Sequence, residues 1–422
     1  MPSPPDPWHA FVPEALGART GAFYLERAPS PGRAARWAMF GTHPLARKEW
    51  SRPSDVEDFR QAFDEGRRSS TPPLQVGFVG FDAFGLFEPL LRDSTPRDGP
   101  FPLAEFHTYE KWERHPVRPR TDRTPIPALE SLELGRVIDS SSPNRFGASV
   151  NRLKEDILNG EAFQVVLAHR RERTIRGSLL SLVDRLRRLE RYAYLYYWRG
   201  GPRGEFELAG ASPESVVEVR EGNIAISPIA GTRPRPPPPT GPRARLPLKR
   251  DPKELAEHRM LVDLARNDIG RVARTGSVRI SRTEVRVPYR RLEHLETRVI
   301  GTLPREHTAL DALMAAFPAG TVSGAPKIRA TELLRREERT WRGPYAGAVG
   351  FFHGPRNAEF ALAIRSAFAC EGKVYTAAGA GIVHASLPRR EWEETLVKLS
   401  TLEDALSRSA PPPERPVRRG RR

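Results

Sequence analysis

The stretch DPKELAEHRMLVDLARNDIG, residues 251–270, carries Glu254 and Glu257 three residues apart. A second stretch, RREWEETLVKLS at 389–400, repeats the spacing with Glu391 and Glu394. Asp251 as an N-cap and Pro252 in the first turn predict that the first stretch opens a helix. The second lies in a helix predicted over Pro388–Ser407, with Trp392, Leu396, Leu399, Leu402 and Leu406 as its apolar face. Residues three apart share a helix face, so each pair projects its carboxylates together. Four carboxylates converging from two helices make a hard-oxygen site, which suits Mg²⁺ rather than zinc or copper. Glu-x-x-Glu also decorates solvated helix faces, so the stretches around and between the pairs have to decide.

The chain has 422 residues, enough for one large domain or two intimate ones. Its 38% hydrophobic and 28% charged content reads as globular. The start, MPSPPDPWHAF, has no basic lead and no apolar run, and no stretch is long and apolar enough to span a bilayer. Cys370 is the single cysteine, which excludes an intramolecular disulfide and a cysteine-based metal site. The expectation is a cytoplasmic protein. A formal charge of +16 raises the question of nucleic acid. The arginines are spread along the whole chain rather than gathered on one stripe, so an anionic small substrate fits the charge equally well.

Outward from the glutamate pairs, the order of elements favours an α+β architecture without regular βαβ alternation. Strand candidates GAFYLERA, ARWAMFGTHP and LQVGFVGFD place a strand-rich region at 1–115. Residues 116–141 read as a linker rich in Pro and Ser. A catalytic region spans 142–407, and the basic, proline-rich residues 408–422 are predicted disordered. Ser142-Pro143 starts a helix that Asn159-Gly160 ends, and the strand AFQVVLAHRRER follows. RPRPPPPTGPRARLP is a loop, since proline excludes it from strand or helix interiors.

Two glycine-rich stretches invite a nucleotide reading and fail it. In PAGTVSGAPKIRA, Ala-Pro separates Gly324 from Lys327, and Pro326 removes a backbone donor that a phosphate loop needs. AAGAGIVHAS offers Gly379 and Gly381 but no third glycine for a dinucleotide turn. Both read as tight turns able to present N–H groups to a carboxylate.

Taken together, GEAFQVVLAHR, ASPESVVEV, SPIAGTRPR, DPKELAEHRMLVDLARNDIGRV, FPAGTVSGAPKIRATELL, RGPYAGAVGFF, ALAIRS, AAGAGIV and EWEETLVK resemble the chorismate-utilising enzymes. The resemblance covers about residues 142–406 strongly and 21–115 weakly, and is closest to anthranilate synthase component I. It implies large antiparallel sheets in a sandwich, helices packed outside and an active site between the sheets. It also implies Mg²⁺ held by Glu257 and Glu394, with Glu254 and Glu391 close by or acting through water. A dianionic substrate enters a carboxylate cluster only with a cation between them.

The resemblance implies Glu214 as general acid for loss of the 4-hydroxyl, which needs a carboxyl held neutral near pH 7. It links His294 to pyruvate elimination, although a lone strand histidine read by itself is more often structural. Gly231, Thr232, Thr321, Tyr345, Arg365, Gly379, Ala380, Gly381 and Lys398 match substrate-contacting positions. Arg365 and Tyr345 suit a carboxylate of the enolpyruvyl group.

Relatives that add water carry a lysine where this chain has Gln164, and relatives that attack the ring themselves carry one in place of Ala230. With neither, ammonia is the expected nucleophile, supplied by a glutamine amidotransferase partner, and the product expected is anthranilate on the tryptophan pathway. Aminodeoxychorismate synthase component I and an aminodeoxyisochorismate synthase are the alternatives. Three segments depart from the family pattern. The tryptophan feedback motifs are replaced by Tyr24-Leu25-Glu26-Arg27 and by Glu190-Arg191-Tyr192-Ala193-Tyr194, and Ala385 stands where an Asp is usual.

Overall fold

The computed structural model describes residues 6–18, 20–28, 36–64, 72–96, 99–117, 129, 131–189, 192–234, 252–288 and 292–409. The polyproline loop over 235–251, residues 118–128 and 130 of the 116–141 linker, and the tail from 410 lie outside them.

Two antiparallel sheets organise the described residues. The first runs Gly324–Ala325, Gln164–Arg176, Lys373–Ile382, Ser366–Cys370, Phe206–Ser212, Tyr194–Gly200, Ala22–Arg27, Trp37–Thr42, Glu113–Pro116. The second runs Ile229–Pro234, Leu292–Thr302, Asn223–Ile226, Ser215–Arg220, Ala358–Leu362, Ala348–His353, Leu74–Val79, Ala104–Tyr109, Ala46–Trp50. Each sheet therefore mixes strands from residues 21–115 with strands from residues after 142. Short pieces of the segment read as a linker, Glu133–Leu134 and Ile138–Asp139, pair with Gln164–Arg176.

Alternation along the strands explains the layers. Phe23, Leu25, Tyr194, Tyr196 and Trp198 face a core shared with Val76, Phe78, Val217 and Phe360 of the second sheet. Their neighbours Ala22, Tyr24, Leu195 and Tyr197 face the other way. There they pack with Trp8 and Phe11 of helix Pro7–Gly17, Val183 and Leu186 of helix Leu180–Leu189, and Leu402 and Leu406 of helix Pro388–Ser409. Strand Ala22–Arg27 is buried at every position for this reason.

Helix ends follow local chemistry. Ser142 caps helix Pro143–Leu158 by accepting from the Arg145 N–H, with Pro143 at the first position. Thr308 and Asp311 form a capping box on Ala309–Ala316.

The chain passes between the sheets twice at one corner. Strand Phe206–Ser212 of the first sheet becomes Ser215–Arg220 of the second after only Pro213 and Glu214. Strand Ala358–Leu362 of the second becomes Ser366–Cys370 of the first after Ala363–Arg365. These strands pair with each other on both sides of the corner. The Leu362 N–H donates to the Glu214 carbonyl (3.0 Å) and the Ala211 N–H to the Arg365 carbonyl (3.2 Å). Arg365 turns the corner with φ of 52°, the left-handed region that a non-glycine residue occupies only under constraint.

Candidate active site

Glu214 sits on the two-residue crossover, and the short connection fixes it. The Ser212 hydroxyl donates to the Glu214 carbonyl (3.1 Å) and accepts from its N–H (3.3 Å). Its side chain is buried, and the Thr321 hydroxyl donates to its Oε1 at 3.0 Å. Burial pushes this carboxyl up to about 8, with Glu296 adding to the rise. The Thr321 hydroxyl, the Ile229 amide and Arg365 act in the opposite sense and are outweighed. The carboxyl therefore keeps its proton through neutral pH, as a general acid must. Thr321 is presented by the one-turn helix Gly320–Ser323, and a Cβ at Gly320 would stand 2.0 Å from Leu264 Cδ2. The turn therefore settles closely on helix Pro252–Gly270, where a larger residue would have to displace the Leu264 side chain.

His294 projects from strand Leu292–Thr302, two residues from Glu296 and hence on the same face. It is 5% exposed. Burial, then Arg365, then Lys398 push its imidazole down to about 3, so it is neutral at physiological pH. An Arg365 Nη2 lies 3.5 Å from its Nε2. Arg365 thus acts on both groups: it lies beside the His294 imidazole and opposes the upward push on Glu214.

A strand of small residues completes the site. Gly379, Ala380 and Gly381 lie on Lys373–Ile382, paired with Ala168, Leu167 and Val166. A Cβ at Gly379 would stand 2.9 Å from Val166 Cγ1 and 3.3 Å from the Tyr345 hydroxyl. A Cβ at Gly381 would stand 2.4 Å from Gln164 Nε2. That amide donates to Glu257 Oε1 at 3.2 Å. From the other side, Lys398 Nζ donates to the Gly379 carbonyl (2.8 Å) and pairs with Glu394 Oε1 (2.8 Å). Contacts therefore run from Glu257 through Gln164 to Gly381, and from Glu394 through Lys398 to Gly379, so both glutamate helices address the same strand end. Gly231 and Thr232 fall within the register shift between Ala230 and Arg233, where Ile229–Pro234 pairs with Leu292–Thr302.

The donor set limits what ion it fits. Among the described residues, no group of three or more His, Cys, Asp or Glu side chains is spaced to hold a metal. Glu254 and Glu391 lie one turn from Glu257 and Glu394 on the same helices without joining them in such a group. Among the described residues an all-protein cage is thus not built. One or two carboxylates with the remaining positions filled by water and an anionic substrate are what a small hard cation such as Mg²⁺ accepts.

Glu296 belongs to this site and was not singled out from the sequence; its spacing of two from His294 in a strand was the available signal. The departures at Tyr24–Arg27 have a physical counterpart. Arg27 is buried, with Nη2 3.0 Å from Glu218 Oε2 and Nε 3.0 Å from Glu359 Oε1. The Tyr194 hydroxyl donates to Glu359 Oε1 (3.0 Å), and Arg298 pairs with Glu218 (3.1 Å). Side chains of the protein itself thus fill the space between the sheets beside strand Ala22–Arg27.

A model of the chorismate binding enzyme family matches residues 22–404. Anthranilate synthase component 1 of Streptomyces coelicolor is 34% identical over 454 residues, covering 96% of this chain and 87% of that protein. The protein of that name from Saccharolobus solfataricus is 37% identical, with 78% of this chain and 80% of the relative covered. The match to its namesake from Geobacillus stearothermophilus is 40% identical over 68% of this chain but spans 56% of that relative's length. The chain likewise spans little more than half of several other curated relatives. Among solved structures, anthranilate synthase component I from Streptococcus pneumoniae superposes with a TM-score of 0.72 at 28% identity, covering 89% of this chain and 95% of that one. A menaquinone-specific isochorismate synthase from Escherichia coli, 18% identical, shares the fold with a TM-score of 0.71 over 96% of this chain and 92% of its own. Among the described residues no helix is long and apolar enough to cross a membrane.

Proposed function

The chain belongs to the chorismate-binding enzyme family, and from that premise we propose that it acts as an anthranilate synthase component I, converting chorismate and ammonia to anthranilate, pyruvate and water. The observation that carries the reading is the corner itself: a buried carboxyl that accepts from Thr321 and is held protonated to about pH 8, and a buried neutral imidazole 3.5 Å from Arg365, whose guanidinium acts on both.

Chorismate is a dianion, and Arg365 and Lys398 supply positive charge where its carboxylates would lie. Glu257 and Glu394 would hold Mg²⁺, which would supply positive charge to neutralise the substrate's ring carboxylate. Ammonia forms a bond to ring C2 while the C4–O bond breaks, and Glu214 gives its proton to the departing hydroxyl, which leaves as water. Thr321 holds the carboxyl in place for that transfer. The C2 proton then departs with His294 as acceptor, the C3–O bond breaks, and the enolpyruvyl group leaves as pyruvate from an aromatic ring. Gln164 favours ammonia over water, because a primary amide contacting Glu257 is no base for a water molecule. A separate glutamine amidotransferase subunit is the proposed ammonia source. Feedback by tryptophan is proposed to be absent, since the feedback motif is replaced at Tyr24–Arg27 and Arg27 is tied to Glu218 and Glu359 there.

Product analysis tests the reading. With chorismate, Mg²⁺ and an ammonium salt at alkaline pH, fluorescent anthranilate and pyruvate should accumulate in equal amounts. Formation of 4-amino-4-deoxychorismate, or of an aminated product that keeps its enolpyruvyl group, would reassign the chain within the family.

A further inference from the structure

Arg342 is 4% exposed and has no place in the chemistry above, yet its guanidinium is fully engaged. Nη1 donates to the Val322 carbonyl (2.8 Å) and Nη2 to the Val166 carbonyl (2.7 Å). Nε and Nη2 form a two-point pair with Glu338, at 2.8 and 2.5 Å. The guanidinium lies 4.2 Å from the centroid of the Phe81 ring and 5.9 Å from that of Tyr345. Its own backbone is held as firmly. The N–H groups of Arg342 and Gly343 donate to Asp82 Oδ2 (2.9 and 2.7 Å), and the Phe81 N–H donates to the Gly343 carbonyl (2.7 Å).

The positions gripped are what matter. Val322 follows Thr321, which holds Glu214. Val166 stands two residues from Gln164, which holds Glu257. Tyr345 lies three residues beyond Arg342 in the same turn. One planar cation therefore ties the supports of three separate site residues to one another, and Asp82 ties that knot to the N-terminal part of the chain. An apolar side chain fills such a space without burying a charge; a guanidinium fork is needed where two carbonyls and a carboxylate must keep fixed relative directions.

We propose that Arg342 is a positioning residue that sets the Thr321–Glu214 contact together with the placing of Tyr345 and Gln164. This rests on the assignment of Glu214 as the acid. Glu214 is faced by the Thr321 hydroxyl, the Ile229 amide, Glu296 and Arg365, of which Thr321 exerts the largest downward pull on its carboxyl. Loosening Thr321 therefore moves the Glu214 titration upward.

The test is Arg342→Lys, which keeps the charge and loses the fork. Difference infrared titration follows the Glu214 carboxyl, assigned with Glu214→Gln, and needs no turnover. The expected result is a midpoint above the wild-type value, a kcat lower by on the order of 100-fold and a smaller change in KM for chorismate. An unmoved midpoint in folded Arg342→Lys overturns the proposal. If that variant does not fold, Glu338→Gln decides in the same way: an upward shift supports the proposal and none overturns it. A wild-type protein that makes no anthranilate would defeat the functional reading while leaving the titration shift measurable, so the two failures are distinguishable.

Discussion

Two buried polar clusters lie between the sheets of this molecule, and they resolve the cost of burial in opposite ways. At the corner, burial prevails: the Glu214 carboxyl is pushed up to about 8 and the His294 imidazole down to about 3. Beside strand Ala22–Arg27, pairing prevails. Burial works against the Arg27 charge, and Tyr194, Glu359 and Glu218 together reverse the effect. On the opposite, helix-facing side of the same strand the outcome is the same: burial pushes Glu26 upward, but Arg187 and Arg36 more than offset it and hold the carboxylate below its ordinary range. The first cluster stores groups in protonation states they would not hold in water, which is what proton transfer needs. The second is a set of matched charges that fixes one arrangement of two sheets. Titratable side chains alone do not mark a functional site; the sign of the shift separates the two regions.

The largest effect expected is that of Glu214→Gln. It removes the proposed proton donor and should lower kcat by ~10²–10⁴-fold without lowering stability. A free glutamate loses its proton near 4.5, whereas Glu214 in the fold keeps it to about 8. Between those values the folded state holds the extra proton, so stability falls as pH rises. The amide has no such proton, so the variant's stability relative to wild type should grow from pH 5 to 8, measured by denaturant titration at each pH. Wild-type kcat should decline as pH passes about 8. His294 has the opposite sign: its folded value near 3 lies below the ordinary 6.5, so its contribution to stability rises with pH across that interval. It should add no limb to the rate profile between pH 6 and 7. A large stability loss in Glu214→Gln would erase the distinction between the clusters.

Arg27→Met inverts that pattern. Removing one member of a buried set leaves Glu218 and Glu359 deprived of a cation between the sheets, so about 3–5 kcal/mol of stability should be lost. Turnover per folded molecule should be retained, because Arg27 touches none of the corner residues in the contacts described. Denaturant unfolding together with active-site-normalised kinetics separates the two quantities. A fall in kcat comparable to that of the corner variant would mean that the second cluster takes part in catalysis.

How much of this was legible beforehand follows from the range of the interactions. Helix starts at Ser142–Pro143 and at Pro252 were readable because a cap acts within one turn. Strand ends were less so: AFQVVLAHRRER runs on to Arg176 because Lys373–Ile382 and Glu133–Leu134 pair along its whole length, from remote parts of the chain. The strand-rich region read at 1–115 contributes strands to both sheets, pairings that likewise come from remote parts of the chain. Glu214, taken alone, is a turn glutamate after Ser-Pro; only the ordered motifs around it pointed to an acid, and only the fold shows that the turn is a corner between sheets. Asp82 and Arg342 left no pattern at all. They are 260 residues apart, and Arg342 acts on backbone carbonyls, which look alike at every position in a sequence.

The smallest effect expected is at Gly381. A Cβ there would meet Gln164 Nε2 at 2.4 Å, the atom that donates to Glu257. The obstacle is the end of a flexible side chain rather than backbone, so Gly381→Ala should fold, with Gln164 rotated away and Glu257 released from it. Losing one hydrogen bond to a charged acceptor corresponds to about 1.5–3 kcal/mol, so a tenfold to roughly hundredfold loss of turnover is the upper range. The expected signature is a higher Mg²⁺ requirement at unchanged Glu214 titration, because the disturbed contact lies on the glutamate side of the site. Gln164→Ala removes the obstacle and the donor together, so adding it to Gly381→Ala should restore stability without restoring activity, a non-additive pair as expected for side chains in direct contact. Full additivity would show that Gly381 serves some purpose other than making room for the Gln164 amide.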